Sequence, residues 1–156
     1  MAKIIKGDLK GKGIKLGVVV SQFNDFITSK LLDGCLEELS KNGVKKTDAT
    51  VVFVPGAWEI PVVALQLAKN KNIDGVICLG AVIRGETAHF DFVARGACDG
   101  IQKVALSTGK PVVLGVLTTD TIDQAYKRSN ENNNKGCDVA KAVLEMVDVF
   151  KKLKKI

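Results

Sequence analysis

Three loop segments of this chain carry residue types that do chemistry. Gly85-Glu86-Thr87 is followed closely by His89, the one histidine present. Where such a run enters a helix, free backbone N–H groups beside a hydroxyl suit a phosphate. An imidazole there is the side chain that takes and returns a proton near neutrality. Phe23 and Trp58 form the second group. Aromatics are only 5% of the chain, yet these two fall in loops just beyond apolar runs. Such a pair builds a platform for a heteroaromatic ring or plugs the top of a core, and the residues alone leave both readings open. Arg128, near the end of a short predicted helix, reaches a phosphate or caps carbonyls. The chain has neither a Walker A loop nor G-x-G-x-x-G, which argues against ATP hydrolysis and standard dinucleotide binding.

The elements that must position these residues read as repeated strand-then-helix units. A first strand over Lys15–Val20 precedes a helix from about Ile27 to Asn42, with Leu31, Leu32, Cys35, Leu36 and Leu39 on one face. Gly43 stops it as a C-terminal cap. A second strand, Thr50–Val54, turns at Pro55-Gly56 into a helix starting near Glu59, with Pro61 tolerated in the first turn. A third strand over Gly75–Leu79 leads through the loop Gly80–Thr87 to a helix near His89, whose apolar face is Phe90, Val93, Ala97, Ile101, Val104 and Ala105. The fourth strand, Pro111–Leu117, ends at Thr118-Thr119-Asp120. A short helix from Ile122 to about Ser129, a linker over Asn130–Asn134 and a last helix from Cys137 to about Leu153 complete the chain.

Strands apolar on both faces, alternating with amphipathic helices, imply an α/β fold of three layers, with a four-stranded parallel sheet between helices. In such sheets ligands bind beyond the carboxyl ends of the strands. The chemically able residues collect in those loops, whereas the opposite loops hold the lysine, asparagine and glycine of plain turns.

The chain's 156 residues make one domain, spanning 1–156, with residues 1–13 as an N-terminal arm. That arm has no continuous apolar core, so it is no signal peptide, and the longest apolar run is too short to span a bilayer. The net charge of +6 suits a phosphorylated ligand. Much of the excess is the terminal run Lys151, Lys152, Lys154 and Lys155, read as a solvated helix end that suits the dipole. No basic stripe with interleaved aromatics supports nucleic-acid binding. Cys35, Cys78, Cys98 and Cys137 form no C-x-x-C pair and, with one histidine, no zinc site. We read them as reduced thiols of a cytoplasmic protein. From these features the chain is a cytoplasmic enzyme or binding protein for a small anionic, partly aromatic ligand.

Longer motifs add to this. Phe23-Asn24, Pro55-Gly56-Ala57-Trp58-Glu59-Ile60-Pro61, Gly80 through Asp91 (GAVIRGETAHFD), Gly115-Val116-Leu117-Thr118-Thr119 and Asn134-Lys135-Gly136 follow in order. In order and spacing they resemble the lumazine synthases, over essentially the whole chain. The resemblance implies a flavodoxin-like fold. It also implies the penultimate step of riboflavin biosynthesis, in which 5-amino-6-(D-ribitylamino)uracil condenses with 3,4-dihydroxy-2-butanone 4-phosphate. The product is 6,7-dimethyl-8-ribityllumazine, with phosphate and water released and neither metal nor organic cofactor used. By similarity the pyrimidine stacks on Phe23 near Trp58, and its edges and ribityl chain meet Ala57, Trp58, Glu59, Ala81, Val82 and Ile83. The butanone phosphate lies against Glu86, Thr87 and Arg128, with Lys135 assisting, and His89 transfers protons. Arg84 and Asp91 are read as structural.

Two positions depart from the pattern. Leu114 stands where several relatives carry phenylalanine near the pyrimidine, often supplied by a neighbouring subunit, and Ala81 stands where some carry threonine. The resemblance further implies a homo-oligomer, either a pentamer with sites between adjacent subunits or a shell of twelve pentamers. The short Arg128–Lys135 linker favours the shell. Whether riboflavin synthase is held inside is left open. Lys3-Ile4-Ile5 is expected to add an edge strand to a neighbour's sheet. The competing readings are a non-catalytic flavin- or pterin-binding module with the same loops, and a protein kept mainly as a self-assembling shell. His89 beside a phosphate loop argues against the first, and the set Glu59, Thr87, His89 and Arg128 against the second.

Overall fold

Apolar runs buried on both faces build the centre of the sheet. In the computed structural model, which describes residues 1–156, β1 (Leu16–Ser21) is buried at every position. It pairs in parallel with β2 (Ala49–Val54) on one side and β3 (Gly75–Ile83) on the other, and β3 pairs in parallel with β4 (Val112–Thr119). The order is β2-β1-β3-β4, the three-layer α/β arrangement of flavodoxin-like folds. Because side chains alternate across a strand, β1 sends Leu16, Val18 and Val20 into one core and Val19 into the other. The first core is closed by α1 (Asp25–Lys41) and α5 (Lys135–Leu153). The second is closed by α2 (Ile60–Lys69) and α3 (His89–Thr108). Each fully buried Val, Leu or Ile contributes about 1.5–3 kcal/mol relative to exposure, so the two cores fix the strand ends that carry the loops.

Local signals end the helices where expected. Gly43 follows α1 with φ +92°, and Pro61 lies in the first turn of α2, where its missing N–H costs nothing. Several boundaries differ from the sequence reading. β3 does not stop at Leu79 but runs to Ile83, because β4 continues beside it and pairs Gly80 with Val116 through Ile83 with Thr119. β4 correspondingly includes Thr118 and Thr119. After α4 (Ile122–Lys127), which stops short of Ser129, the supposed linker is a small antiparallel hairpin of β5 (Ser129–Asn130) and β6 (Asn133–Asn134). The Asn130 side-chain oxygen accepts the N–H groups of Asn132 and Asn133 at 3.1 and 3.0 Å, closing its turn. α5 begins at Lys135 rather than Cys137, since Asn134 caps it by accepting the Gly136 N–H at 2.8 Å.

Residues 1–11 form no helix or strand, and the arm lies along the end of α5. Lys152 Nζ donates to the Lys6 carbonyl at 2.7 Å and pairs with Asp8 at 2.9 Å and Asp148 at 2.7 Å. The Asp8 N–H donates to Asp148 at 2.8 Å. Lys152 is thus held in a clasp, and the terminal lysines are not uniformly a solvated end. No helix is long and apolar enough to cross a membrane. All four thiols are free, and burial pushes Cys35 and Cys78 up to about 12.

Candidate active site

A cleft of about 820 Å³ opens beyond the carboxyl ends of β1, β2 and β3. β1 delivers Phe23 and Asn24. β2 delivers Pro55 and Gly56, then a single 3-10 turn with Ala57, Trp58 and Glu59. β3 delivers Ala81, Val82 and Ile83, and the run into α3 adds Gly85, Thr87 and His89. Phe23 is 72% exposed and Trp58 60%. Neither plugs the core; both stand at the cleft.

The cleft depends on β3 outrunning β1. In register β1 accompanies β3 only as far as Leu79, so beyond it one edge of β3 is free. Asn24, the one non-glycine residue at positive φ (+61°), bridges this step: its Nδ2 donates to the Ala81 carbonyl at 2.9 Å. Alternation along a strand sends the N–H and C=O of Ile83 to the same edge as Ala81, the edge that β1 leaves unpaired beyond Leu79. Below this step Ser21 Oγ is buried without a hydrogen-bond partner. On the other wall, Glu59 Oε2 accepts the Gly56 N–H at 2.9 Å. One carboxylate oxygen therefore fixes the turn.

At the start of α3 the Thr87 hydroxyl oxygen accepts the His89 N–H at 3.3 Å, and both side chains face solvent at the cleft. Phe92 and Val93 share the cleft with His89. They follow it by three and four residues, the spacing that places side chains on one helical face, and that spacing is the signal by which they were findable. Arg84 is occupied elsewhere: Nε donates to Asp120 at 2.8 Å, Nη1 to Asp91 at 3.2 Å, and the guanidinium stacks 4.3 Å from the Phe90 ring. Asp120, and then Asp91, hold this guanidinium all the more firmly protonated. It ties the ends of β3 and β4 to the first turn of α3, as its structural reading expected.

Four predicted residues lie outside the cleft of this chain. Glu86 is an exposed residue of the turn before α3. Leu114 lies on the edge strand β4 opposite Cys78, 48% exposed. Arg128 follows α4, its Nη1 donating to the Gln124 carbonyl at 3.0 Å. Lys135 opens α5 with Nζ 2.9 Å from Asp138. Arg128 and Lys135 are joined across the hairpin, since the Lys135 N–H donates to the Arg128 carbonyl at 2.9 Å. No lysine or arginine lines the cleft. A second depression of about 800 Å³ between α1, the hairpin and α5 is lined mainly by charged and amide side chains and contains none of the ring-facing pair. No three His, Cys, Asp or Glu side chains converge to hold a metal ion.

Against known proteins, a family model described as 6,7-dimethyl-8-ribityllumazine synthase matches residues 13–151. The match takes in every strand of the sheet, the cleft and the hairpin.

Proposed function

The chain belongs to the 6,7-dimethyl-8-ribityllumazine synthase family, a transferase of riboflavin biosynthesis, and from that premise we propose how its residues divide the work. The pyrimidine amine stacks on Phe23 against Trp58. Its ring edge meets the free backbone edge of β3 at Ala81–Ile83, and its ribityl hydroxyls meet Ala57 and Glu59. The butanone phosphate lies at Gly85-Glu86-Thr87. His89, at the same helix start, moves protons as the imine forms and phosphate leaves. Because an amine and a ketone react unaided, much of the acceleration comes from holding them in register.

The observation that carries this reading is the pairing of two exposed aromatics with a histidine at a helix start in one strand-end cleft. The cleft lining holds no lysine or arginine, which supports a cationic partner from outside it. A phosphate dianion calls for charge-assisted donors, and Arg84 is engaged by two carboxylates. Arg128 and Lys135 therefore serve the cleft of an adjacent copy of the chain, and Leu114 walls the neighbour's ring site. An oligomer of the pentamer type, closed or not into a shell, supplies that neighbour. The open edge strand β2, with Phe53 57% exposed, is the edge that a neighbour's Lys3–Ile5 would extend. Four free thiols, two of them buried, support a cytoplasmic setting.

The test is turnover of the two substrates, followed by the lumazine fluorophore. His89→Ala lowers kcat by about tenfold, less than the usual acid–base contribution. Arg128→Ala raises KM for the phosphate substrate by about tenfold or more. Co-expressing the two variants regenerates native sites, about one in four if chains mix freely around a ring. Product no faster than background in the unaltered protein sinks the assignment of the cleft. Absence of recovery on co-expression sinks the shared site.

A further inference from the structure

Trp58 is held as a wall of the cleft by something missing from α3. A Cβ placed on Gly96 would overlap Trp58 Cζ3 outright and fall 2.9 Å from Cε3 and 3.1 Å from Cη2. All three atoms belong to the six-membered ring, so the indole meets the helix by its benzo edge. Its pyrrole edge, with the N–H donor, is consequently turned away from α3. One helical turn on, a Cβ on Gly100 would fall 2.7 Å from Pro61 Cγ and 2.8 Å from its Cβ, which seats the first turn of α2 on the same face. Glycine is the poorest helix former after proline, and α3 carries both residues in its interior. Local propensity favours alanine at each place; close approach of the 57–61 segment favours glycine.

We propose that Gly96 is a positioning residue for pyrimidine recognition: the space left by its absent side chain sets the Trp58 ring plane. This rests on the reading of Trp58 as part of the pyrimidine site. In Gly96→Ala the indole must turn about its side-chain torsions or rise off α3, which narrows the cleft opposite Phe23. The phosphate end, at Thr87 and His89, is untouched. Specificity at the ring is thus set from behind by a residue that touches no substrate.

Trp58 is the only tryptophan, so intrinsic emission reports this one ring. Gly96→Ala is expected to shift that emission and to raise the pyrimidine KM by about tenfold, with the phosphate-substrate KM changed less than about twofold. A phenyl ring lacks the overlapping atoms, so in a Trp58→Phe background Gly96→Ala is expected to change the pyrimidine KM less than about twofold. Unchanged emission and unchanged pyrimidine KM in Gly96→Ala overturn the proposal, provided Trp58→Ala itself raises that KM. If Trp58→Ala leaves the pyrimidine KM alone, the reading of the site fails instead, and with it this inference. Should Gly96→Ala not fold, restoration of folding by Trp58→Phe supports the contact, and failure to restore overturns it.

Discussion

Asn134→Ala tests whether one side chain holds the basic pair in place. The Asn134 Oδ1 accepts the Gly136 N–H at 2.8 Å and caps α5. Its Nδ2 donates to the Lys30 carbonyl at 2.8 Å and the Ser129 carbonyl at 3.1 Å. The side chain fits because Gly34 of α1 leaves room: a Cβ there would stand 2.5 Å from Asn134 Cγ and Nδ2. Losing the cap costs about 1 kcal/mol. The bond to Ser129, a residue 1% exposed, is worth about 1 kcal/mol, and that to Lys30 at the solvent-facing rim about 0.5. Asn134→Ala should therefore lose about 2.5 kcal/mol, or about 5–10 °C in melting temperature for a domain of this size. Asn134→Ser keeps a capping oxygen and should lose about 1.5 kcal/mol.

Urea unfolding followed by circular dichroism, at one protein concentration because association shifts apparent stability, reads these losses. Turnover adds the functional half. Arg128 and Lys135 flank the hairpin that Asn134 ties to α1, so the phosphate-substrate KM should rise in both variants while the pyrimidine KM stays near its original value. A loss under about 0.5 kcal/mol in Asn134→Ala would refute the hydrogen-bond reasoning. Equal rises in both KM values would refute the link from hairpin to phosphate.

Two further outcomes follow from single contacts. Asn24→Ala should cost about 2 kcal/mol, combining a lost bond to the Ala81 carbonyl with a left-handed conformation that alanine resists, while Asn24→Gly loses only the bond; an alanine variant as stable as the glycine one would contradict the strain. The arm clasp depends on charge: Lys152 holds the Asp8 and Asp148 carboxyls below the usual range, and the Lys152 ammonium is itself held above its own. The carboxylates' contribution is then complete above the ordinary carboxylate range and is lost as pH falls through their lowered values, and that of Lys152 is lost only in strong alkali. Protection of the Asp8 amide from hydrogen exchange, taken relative to its intrinsic rate at each pH, should be present at neutral pH and lost in strong acid, and lost at any pH in Lys152→Ala; an equally protected amide in that variant would count against the clasp.

Strand cores were legible because burial on both faces leaves an unbroken apolar run, as in Val18-Val19-Val20 and Ile77-Cys78-Leu79. Strand ends were not. Gly80-Ala81-Val82-Ile83 reads as a glycine-led loop until β4 is known to run beside it, and pairing length is a property of two segments together. Asn130–Asn134 reads as linker for a similar reason, since asparagine suits both an irregular stretch and the side-chain-closed turn it makes. The cleft's aromatics after strands were found by their place, whereas Phe92 was passed over because it lies off the apolar face read for α3, and only its spacing from His89 brings it to the cleft. The alternation that sends Val112 and Val116 into the α2–α3 core also puts Leu114 on that face, but only the sheet order shows that it stands at an open edge.

The charge of the chain is distributed by the same logic. Its excess of +6 invites the idea that a basic surface draws in the phosphate substrate, yet the densest lysine run is at the far end of α5. There Lys152 is committed to Asp8, Asp148 and the Lys6 carbonyl. The family match begins at residue 13 and stops at 151, so the cleft and hairpin lie inside it and the Lys6–Asp8 and Lys152 side of the clasp outside. The clasp ties the arm to α5 at Asp148 and Lys152, away from the cleft. Under the proposed function the cations that serve the phosphate are few: Arg128 and Lys135, held on one hairpin by their own backbone bond. Two cations on a stiff turn would be aimed by such an assembly, whereas a diffuse lysine tail is screened within about 8 Å at physiological salt. On the proposed assembly, recognition of the phosphate depends on how neighbouring chains pack, and the net charge of the sequence says little about it.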